Sequence, residues 1–522
     1  MNPKYLFTLF MLFIGFLVHA QEITVTGFVL DNIGNPIEFA EVELKGTPYK
    51  TKTNNKGEYV FSNIAYNTYT VVVLFDNTEI QQKTITVAAT NTLVPAFRLG
   101  YDTTLLDGVV IYSQHKNKFA SKNDTDVSKM SLTYMETPQI YSTVNKNLMD
   151  EQLTTDLSDA VKNVPGVVKM QGSPGRAGDG GYTYNLRGFP TRIALVDGVA
   201  ANTNGEIDFA DIESIEVIKG PAGTLYGGAV TSYGGAINVT TKKPKDVFGG
   251  SASYIFGSYN LNRIATDIYG PLSKTEKLAF RLNTAYQHQN SFRESEFKKT
   301  FFLAPSLRYQ VNDRLTFNLG IQVFNYEATN TPIVFLSRTR PFFAKNPEEL
   351  NFDWNDSYTN SDITLKAPST NIKAQASYII NDQWTSQTQV SRNVRKTDGI
   401  YQYQFIRGND SDQLLERNFQ VQYSEAASTN IQQNFNGKFT IGSVKNKVLI
   451  GLDYLNQTQE NNHSPIVKYD TINGVNRIKE YGFVSKELVL QAINKKTTNL
   501  LRTYTSSNIY SAYATDVISF TD

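Results

Sequence analysis

"KLAFRLNTAYQH", residues 277–288, places Leu278, Phe280, Leu282 and Tyr286 on one face of an extended chain and Arg281, Asn283, Ala285 and Gln287 on the other. A strict period of two is the mark of a strand with two different surroundings. Two neighbouring runs repeat it. Phe301, Leu303, Leu307 and Tyr309 oppose Ser306, Arg308 and Gln310, and Leu315, Phe317, Leu319, Ile321 and Val323 oppose Thr316, Asn318 and Gln322. Ten such runs are predicted, near 251–258, 262–270, 277–288, 300–311, 314–326, 370–380, 383–395, 430–441, 446–458 and 507–518. Most reach the roughly 9–11 residues that a tilted strand needs to cross a bilayer.

The connections carry the second half of the signal. "PLSKTE", "ND" (312–313), "ND" (381–382) and "SVKN" are tight turns, whereas 327–369, 396–429 and 459–506 are long and polar. Short turns on one side and long loops on the other are the pattern of a transmembrane antiparallel β-barrel. A soluble sandwich or solenoid is the competing reading, and such sheets rarely keep strands this long. In lipid every backbone group must be paired, so a spanning sheet has to close. Ten strands do not close around a domain as large as 129–246, and a barrel with a plugged lumen takes about 22. We therefore read the sequence as a C-terminally truncated coding sequence that stops partway round the barrel.

Composition limits the alternatives. Hydrophobic residues make up 40% of the chain, and after the first twenty residues no apolar run is long enough to span as a helix. The chain has 30 Tyr and 31 Phe against 2 Trp, a load that suits sheets and membrane-interface girdles. It has no Cys, which excludes a disulfide framework and thiolate metal sites. A net charge of +1 implies no nucleic-acid partner. At the N-terminus Lys4 precedes an apolar run from Leu6 to Val18 that ends in "VHA", which reads as an export signal over 1–20 and is too short for a membrane anchor.

Between signal and barrel lie three zones. In residues 22–99, Val25, Val29, Val42, Leu44, Tyr59, Phe61, Val71 and Val73 recur at every second position within short runs separated by turn residues, predicting a small β-sandwich. Residues 100–128 form a polar linker around one apolar island, Val109–Tyr112, suited either to docking back on a neighbour or to adding an edge strand to a partner's sheet. Residues 129–246 are mixed α/β. There Asp156 is a predicted N-cap, Leu157, Ala160, Val161 and Val164 fall at helical spacing, and Pro165 ends the helix. The overall class is mainly β: a sandwich, an α/β plug-like domain, and about ten strands of a barrel over 248–522.

The glycine-rich stretch "KGPAGTLYGGAVTSYGGAINVTTKKP" (219–244) could be mistaken for a phosphate cradle. The G-x-x-x-x-G-K-[ST] order is absent, the lysine precedes the glycines, and no helix pattern follows. Its glycines read as backbone turns in a crowded domain. No H-x-x-E, H-E-x-x-H or G-x-S-x-G motif supplies a catalytic alternative.

Two resemblances sharpen this reading. "GFVLDNIGNPIEFAEVELKGT...TNNKGEYVFSNI" resembles the carboxypeptidase-regulatory-like domain that precedes many outer-membrane receptors of Bacteroidetes-type bacteria. "METPQIYSTV...LSDAVKNVPGVV...YNLRGF...ALVDGV...DIESIEVIKGPAGTLYGG...GGAINVTTKKP", within 135–244, looks like the plug of a TonB-dependent outer-membrane receptor of the siderophore type. The resemblance implies a plug inside the barrel, an outward-facing ligand site, and a TonB box at "LDGVVIYS" (106–113), with Asp107, Val109, Val110 and Ile111 making that contact. It implies a ferric siderophore as ligand, TonB and outer-membrane lipid as partners, and active uptake of the chelate. The glycan importers that share the N-terminal domain have a differently worded plug, and a cobalamin-like chelate or a surface adhesin are the remaining alternatives. The plug apices correspond to 171–184, 190–192 and 200–206, making Arg176, Tyr182, Tyr184, Arg192, Asn202 and Asn204 candidate ligand contacts. Tyr401, Tyr403, Phe405 and Arg407, with Phe342, Phe343 and Trp354, are candidates from the barrel loops. Arg187 and Lys219 match plug residues that pair in this family with wall carboxylates, and those partners are expected beyond Asp522. His288 and His463 stand far apart, so no cofactor and no bare metal site is expected.

Overall fold

The computed structural model describes residues 23–520 other than 32–35, 76–77, 89, 100–118, 120–124, 173–175, 178–181, 201–206, 222, 228–231, 274–276, 330–332, 409, 476–482 and 497–498. The chain divides into two compact units between Asn117 and Lys118. In the first, Val25–Asp31 pairs with Glu58–Phe61, Thr92–Leu93 and Phe97–Leu99. A second sheet runs Lys50–Lys52, Glu41–Leu44, Asn67–Phe75, Thr78–Val87. The alternating residues of the sequence reading, Val25 through Val73, all meet in one core between the sheets together with Phe97. Each such side chain contributes about 1.5–3 kcal/mol on burial.

The second unit opens with the plug. Its helix, Leu157–Val161, is capped by Asp156, whose side chain accepts from the Ser158 amide at 2.8 Å. Leu157, Ala160, Val161 and Val164 pack on Ile215, Val217, Ile237 and Val239 of a five-stranded sheet. That sheet runs Val199–Ala200, Ile193–Val196, Gly235–Thr241, Ile212–Lys219, Ile140–Asn145. Ile193–Val196 and Gly235–Thr241 are parallel, and the other pairs antiparallel. The glycine-rich stretch is the connection of one antiparallel pair, with Lys219 opposite Gly235. Gly235 has φ +140°, and a Cβ there would stand 1.8 Å from the Ile218 carbonyl oxygen, so no side chain fits. One helical turn, Gly223–Tyr226, does follow the first glycines, which the sequence pattern did not signal.

All ten predicted barrel strands are present in order, each antiparallel to the next, from Gly249–Gly257 to Leu501–Ser519. Their parity is as read: Arg281, Asn283, Ala285 and Gln287 are buried towards the plug, while Phe317, Leu319 and Ile321 are exposed outward, as a lipid-facing surface requires. No helix among the described residues is long and apolar enough to cross a membrane.

The seventh and eighth strands correct the predicted loop at 396–429. Trp384–Ile406 has 23 residues and Leu414–Ile441 has 28, paired without interruption from Trp384↔Gly437 to Phe405↔Glu416. The expected loop is mostly hairpin, and it rises well past the length that spans a bilayer. The other two long loops fold against it. Ile333–Leu336 pairs in parallel with the seventh strand, and Val467–Asn473 pairs antiparallel with the eighth. The helix Lys486–Lys496 buries Val489 and Ile493 with Ile400, Phe419, Val421 and Val467. A second cluster joins Leu350, Phe352, Tyr358, Ile406, Leu415 and Ile472. Arg417, 0% exposed in side chain, lies among these layers, forked onto Asp470 and donating to the Tyr358 carbonyl at 3.3 Å.

Candidate functional site

Between the paired plug strands Val167–Gly172 and Tyr182–Leu186, Arg176 and Ala177 meet the base of this raised hairpin. The Arg176 guanidinium lies over the rings of Tyr401 and Tyr403, 5.2 Å and 5.4 Å from their centroids. Arg395 donates to the Arg176 carbonyl at 3.0 Å, and the Gln422 side-chain carbonyl accepts from the Ala177 amide at 3.1 Å. One of the plug candidates, Arg176, is thus brought to the barrel candidates Tyr401 and Tyr403. The phenol of Tyr403 donates to Gln420 at 3.0 Å and accepts from Gln422 at 3.2 Å. Its ring sits 4.8 Å from Tyr401 and 5.9 Å from Phe335, and Phe335 stacks on Phe405 at 5.2 Å. Arg407 lies over Phe405 at 4.3 Å while pairing with Glu416 at 2.9 Å.

Tyr401, Tyr403 and Phe405 share a face because they alternate along one strand, which fixes their spacing more tightly than a loop would. Tyr401 and Tyr403 are buried under Arg176 and Ile333–Leu336. A guanidinium over phenols, edged by amides, can hold an anionic or aromatic group by charge, stacking and hydrogen bonds.

The remaining candidates scatter. Tyr182 donates to Asp156 at 2.8 Å and lies under the Lys169 ammonium at 3.8 Å, away from the apex. Tyr184 belongs to the plug core, 1% exposed, which corrects its reading as an apical contact: its strand position faces the helix Leu157–Val161. Arg192 donates to Thr183 at 3.3 Å. Phe343 and Trp354 are exposed, and Phe342 and Phe343 both lie beside the Arg340 guanidinium. Asn202 and Asn204, and the predicted TonB-box residues Asp107, Val109, Val110 and Ile111, lie outside the described residues. Arg187 is exposed with φ 54°, and Lys219 is half-buried; no ion pair to either is found among the described residues.

What sequence reasoning missed is the polarity of the contact between plug and wall. The expectation was basic plug residues meeting wall carboxylates. The dominant arrangement is the reverse. Wall residue Arg263 forks onto plug residue Asp208 at 2.9 Å and 2.5 Å, Lys298 faces Asp156 at 3.5 Å, and Lys447 holds Glu136 at 2.6 Å. Lys373 pairs with Asp197, and Arg308 with Asp246. Burial works against Asp156, yet Lys298, the Ser158 bonds and Lys169 hold its carboxyl down to about 2. One contact keeps the expected polarity: plug Lys242 meets wall Asp267 at 3.1 Å, and Asp267 is also forked by Arg281. Parity gave a usable signal here, since Arg281 and Arg308 were already legible on the inward face.

Asp211 sits in the same contact and accepts from Asn283 at 3.0 Å and Gln322 at 2.7 Å. Burial pushes its carboxyl up to about 7, against the Gln322 bond and the charges of Lys242 and Arg281. Where the linker enters the plug, Lys129 donates to the Leu225 carbonyl at 2.6 Å and lies over Tyr226 and Tyr513 at 4.8 Å and 4.4 Å. Burial lowers this ammonium to about 8. No cluster of three or more His, Cys, Asp or Glu side chains suited to a metal ion occurs among the described residues.

Comparison with known proteins agrees with this architecture. Residues 133–232 match the TonB-dependent receptor plug domain family, and residues 24–100 the carboxypeptidase regulatory-like domain family. The chain is 25% identical over 356 residues to the ferrioxamine B receptor of Salmonella typhimurium, covering 64% of this chain and 49% of the relative. It is 29% identical over 216 residues to the catecholate siderophore receptor Fiu of Escherichia coli, covering 41% and 27%. The chain therefore spans about half the length, or less, of these curated relatives. Among solved structures, the ferric preacinetobactin receptor BauA of Acinetobacter baumannii superposes with TM-score 0.66 at 16% identity, covering 78% of this chain and 59% of that one. The closed form of Fiu from Escherichia coli gives 0.64 at 21%, covering 77% and 57%. The chain thus carries a TonB-dependent receptor plug domain and a carboxypeptidase regulatory-like domain, and its plug and barrel strands share the fold of these solved receptors.

Proposed function

We propose that the protein takes up a ferric siderophore across the outer membrane, driven through TonB. The observation that carries this reading is the join at Arg176, where the apex of the plug touches the aromatic ladder of the raised hairpin. A chelate arriving from outside competes with Arg176 for Tyr401 and Tyr403, so its binding is felt directly by the plug. The relatives named for ferrioxamine B and catecholate siderophores support an iron chelate as cargo. In this reading the iron arrives already chelated.

In this reading the sandwich and linker lie on the periplasmic side. TonB adds a strand to residues 106–113, main-chain bonds supply the grip, and force then remodels the plug. The role is transport, as in the relatives, and no catalytic step is invoked. The test is growth and radio-iron uptake in a strain lacking the gene. Loss of growth on a ferric siderophore supports the proposal, and unchanged iron uptake in low-iron medium overturns it. Capture by the TonB C-terminal domain that disappears on deletion of 106–113 separates a transporter from an adhesin, which never binds. Uptake of a glycan or of a cobalamin-like chelate instead would reassign the cargo.

A further inference from the structure

The wall cations form more than a set of clasps. Arg263, Lys298, Arg308, Lys373 and Lys447 come from four different strands, and each points inward onto a plug carboxylate. Lys298 and Arg308 stand at opposite ends of one strand, Phe297–Gln310. Ten residues of strand separate them, about 33 Å at about 3.3 Å per residue. That distance matches the roughly 30 Å hydrocarbon core of a bilayer. The inward wall carboxylates among the described residues are already engaged: Asp267 by Arg281 and Lys242, and Asp453 by Asn430 and Gln432. Once the plug withdraws, Asp267 keeps Arg281 as its partner, and Arg263, Lys298, Arg308, Lys373 and Lys447 outnumber the remaining inward carboxylate Asp453, which leaves the described wall a strip of positive potential. A low-dielectric lumen focuses such a field.

We infer that this strip is the track along which cargo crosses, that the cargo is an anionic ferric chelate, and that the plug carboxylates hold its place on the wall while the receptor is shut. The inference rests on the uptake reading and adds to it the charge class of the substrate. A pinning role alone requires oppositely charged partners but is indifferent to which side carries which sign. A track requires the cations on the wall.

The test exploits that asymmetry. One variant neutralises the wall (Arg263→Gln, Lys298→Gln, Lys373→Gln), and the other neutralises the plug (Asp208→Asn, Asp156→Asn, Asp197→Asn). Asn keeps the side-chain oxygen that accepts from the Ser158, Ala210 and Thr241 amides at these positions, and both variants break the same three pairs. Cells that depend on this receptor for iron are given a radio-iron tricatecholate chelate, which is anionic, or an uncharged ferric trihydroxamate, and surface binding is measured alongside uptake. The wall variant is expected to bind both at the surface, to lose tricatecholate uptake by on the order of tenfold, and to keep trihydroxamate uptake. The plug variant keeps both. Equal losses in the two variants, or equal loss of both chelates in the wall variant, overturn the inference in favour of pinning. Should the wall variant fail to assemble, Lys373→Gln against Asp197→Asn is compared in the same way. If the parent takes up neither chelate, the uptake reading fails and this inference with it.

Discussion

Along the seventh strand, Gln389, Ser391, Asn393, Arg395 and Thr397 are buried, whereas Val390, Arg392 and Lys396 are exposed. A few residues on, Ile400 to Gln404 are buried without a break. The eighth strand mirrors this, buried throughout from Arg417 to Gln422 and alternating below. The lower half of the hairpin is a barrel wall with one face on the plug and one outward. The upper half is the middle layer of a small globular cap, covered on both sides by the loops that contain Leu350 and Val489. One continuous pair of strands therefore obeys two burial rules, and the changeover falls at Gly399. Gly399 has φ +144°, and a Cβ there would stand 2.1 Å from the Thr364 carbonyl oxygen, so the crossing strand Leu365–Lys366 approaches where no side chain intervenes.

The sharpest way to break the comparison is at Arg417. In a solvated loop its removal would be nearly silent. In a buried layer, Arg417→Ala strips Asp470 of its partner and should cost the cap about 3–5 kcal/mol. Limited proteolysis should then cut between 400 and 422 while the barrel below stays resistant. The next effect locates the edge of the lipid. Leu319→Arg, on the outward face of a lower strand, should cost about 2–4 kcal/mol in folding into bilayers. Leu414→Arg, also exposed but above the changeover, should stay within about 0.5 kcal/mol. Equal costs at the two positions would mean that the apolar faces of both halves meet the same medium.

A smaller effect is expected where the halves meet. Arg176→Ala should remove a cation–π contact of about 1–2 kcal/mol, seen as a several-fold change in chelate affinity with the fold intact. The smallest concerns pH. Asp211 has its folded carboxyl raised to about 7, so the stability it contributes is complete below its usual value and lost as pH rises through about 7. Protease cleavage of the plug in micelles should therefore quicken from pH 5 to pH 8, and Asp211→Asn should flatten that slope.

The lower half was legible because alternation is a direct imprint of two media on one strand. Each of the ten strands was found from it, while the plug helix was found from its helical spacing and its Asp156 cap. The upper half was not legible because burial there no longer follows alternation. In "GIYQYQFIRG" aromatics and amides still alternate, but both faces are buried, and the stretch was read as part of a long polar loop. Tyr184 was misplaced for a related reason: a Tyr in a motif next to an apex says nothing of which face of its strand it occupies. Of the wall cations, Arg281 and Arg308 were read on the polar face, but the partners required knowing which plug turns come near which strands, and that is a long-range property of the fold.

The ladder of Tyr401, Tyr403 and Phe405 has a consequence for descent. Its side chains stand on rungs of a paired strand, so exchanging one leaves backbone, spacing and neighbours in register. A lineage carrying this hairpin can revise what the outer face prefers one rung at a time, without inventing a new loop and without disturbing the wall beneath.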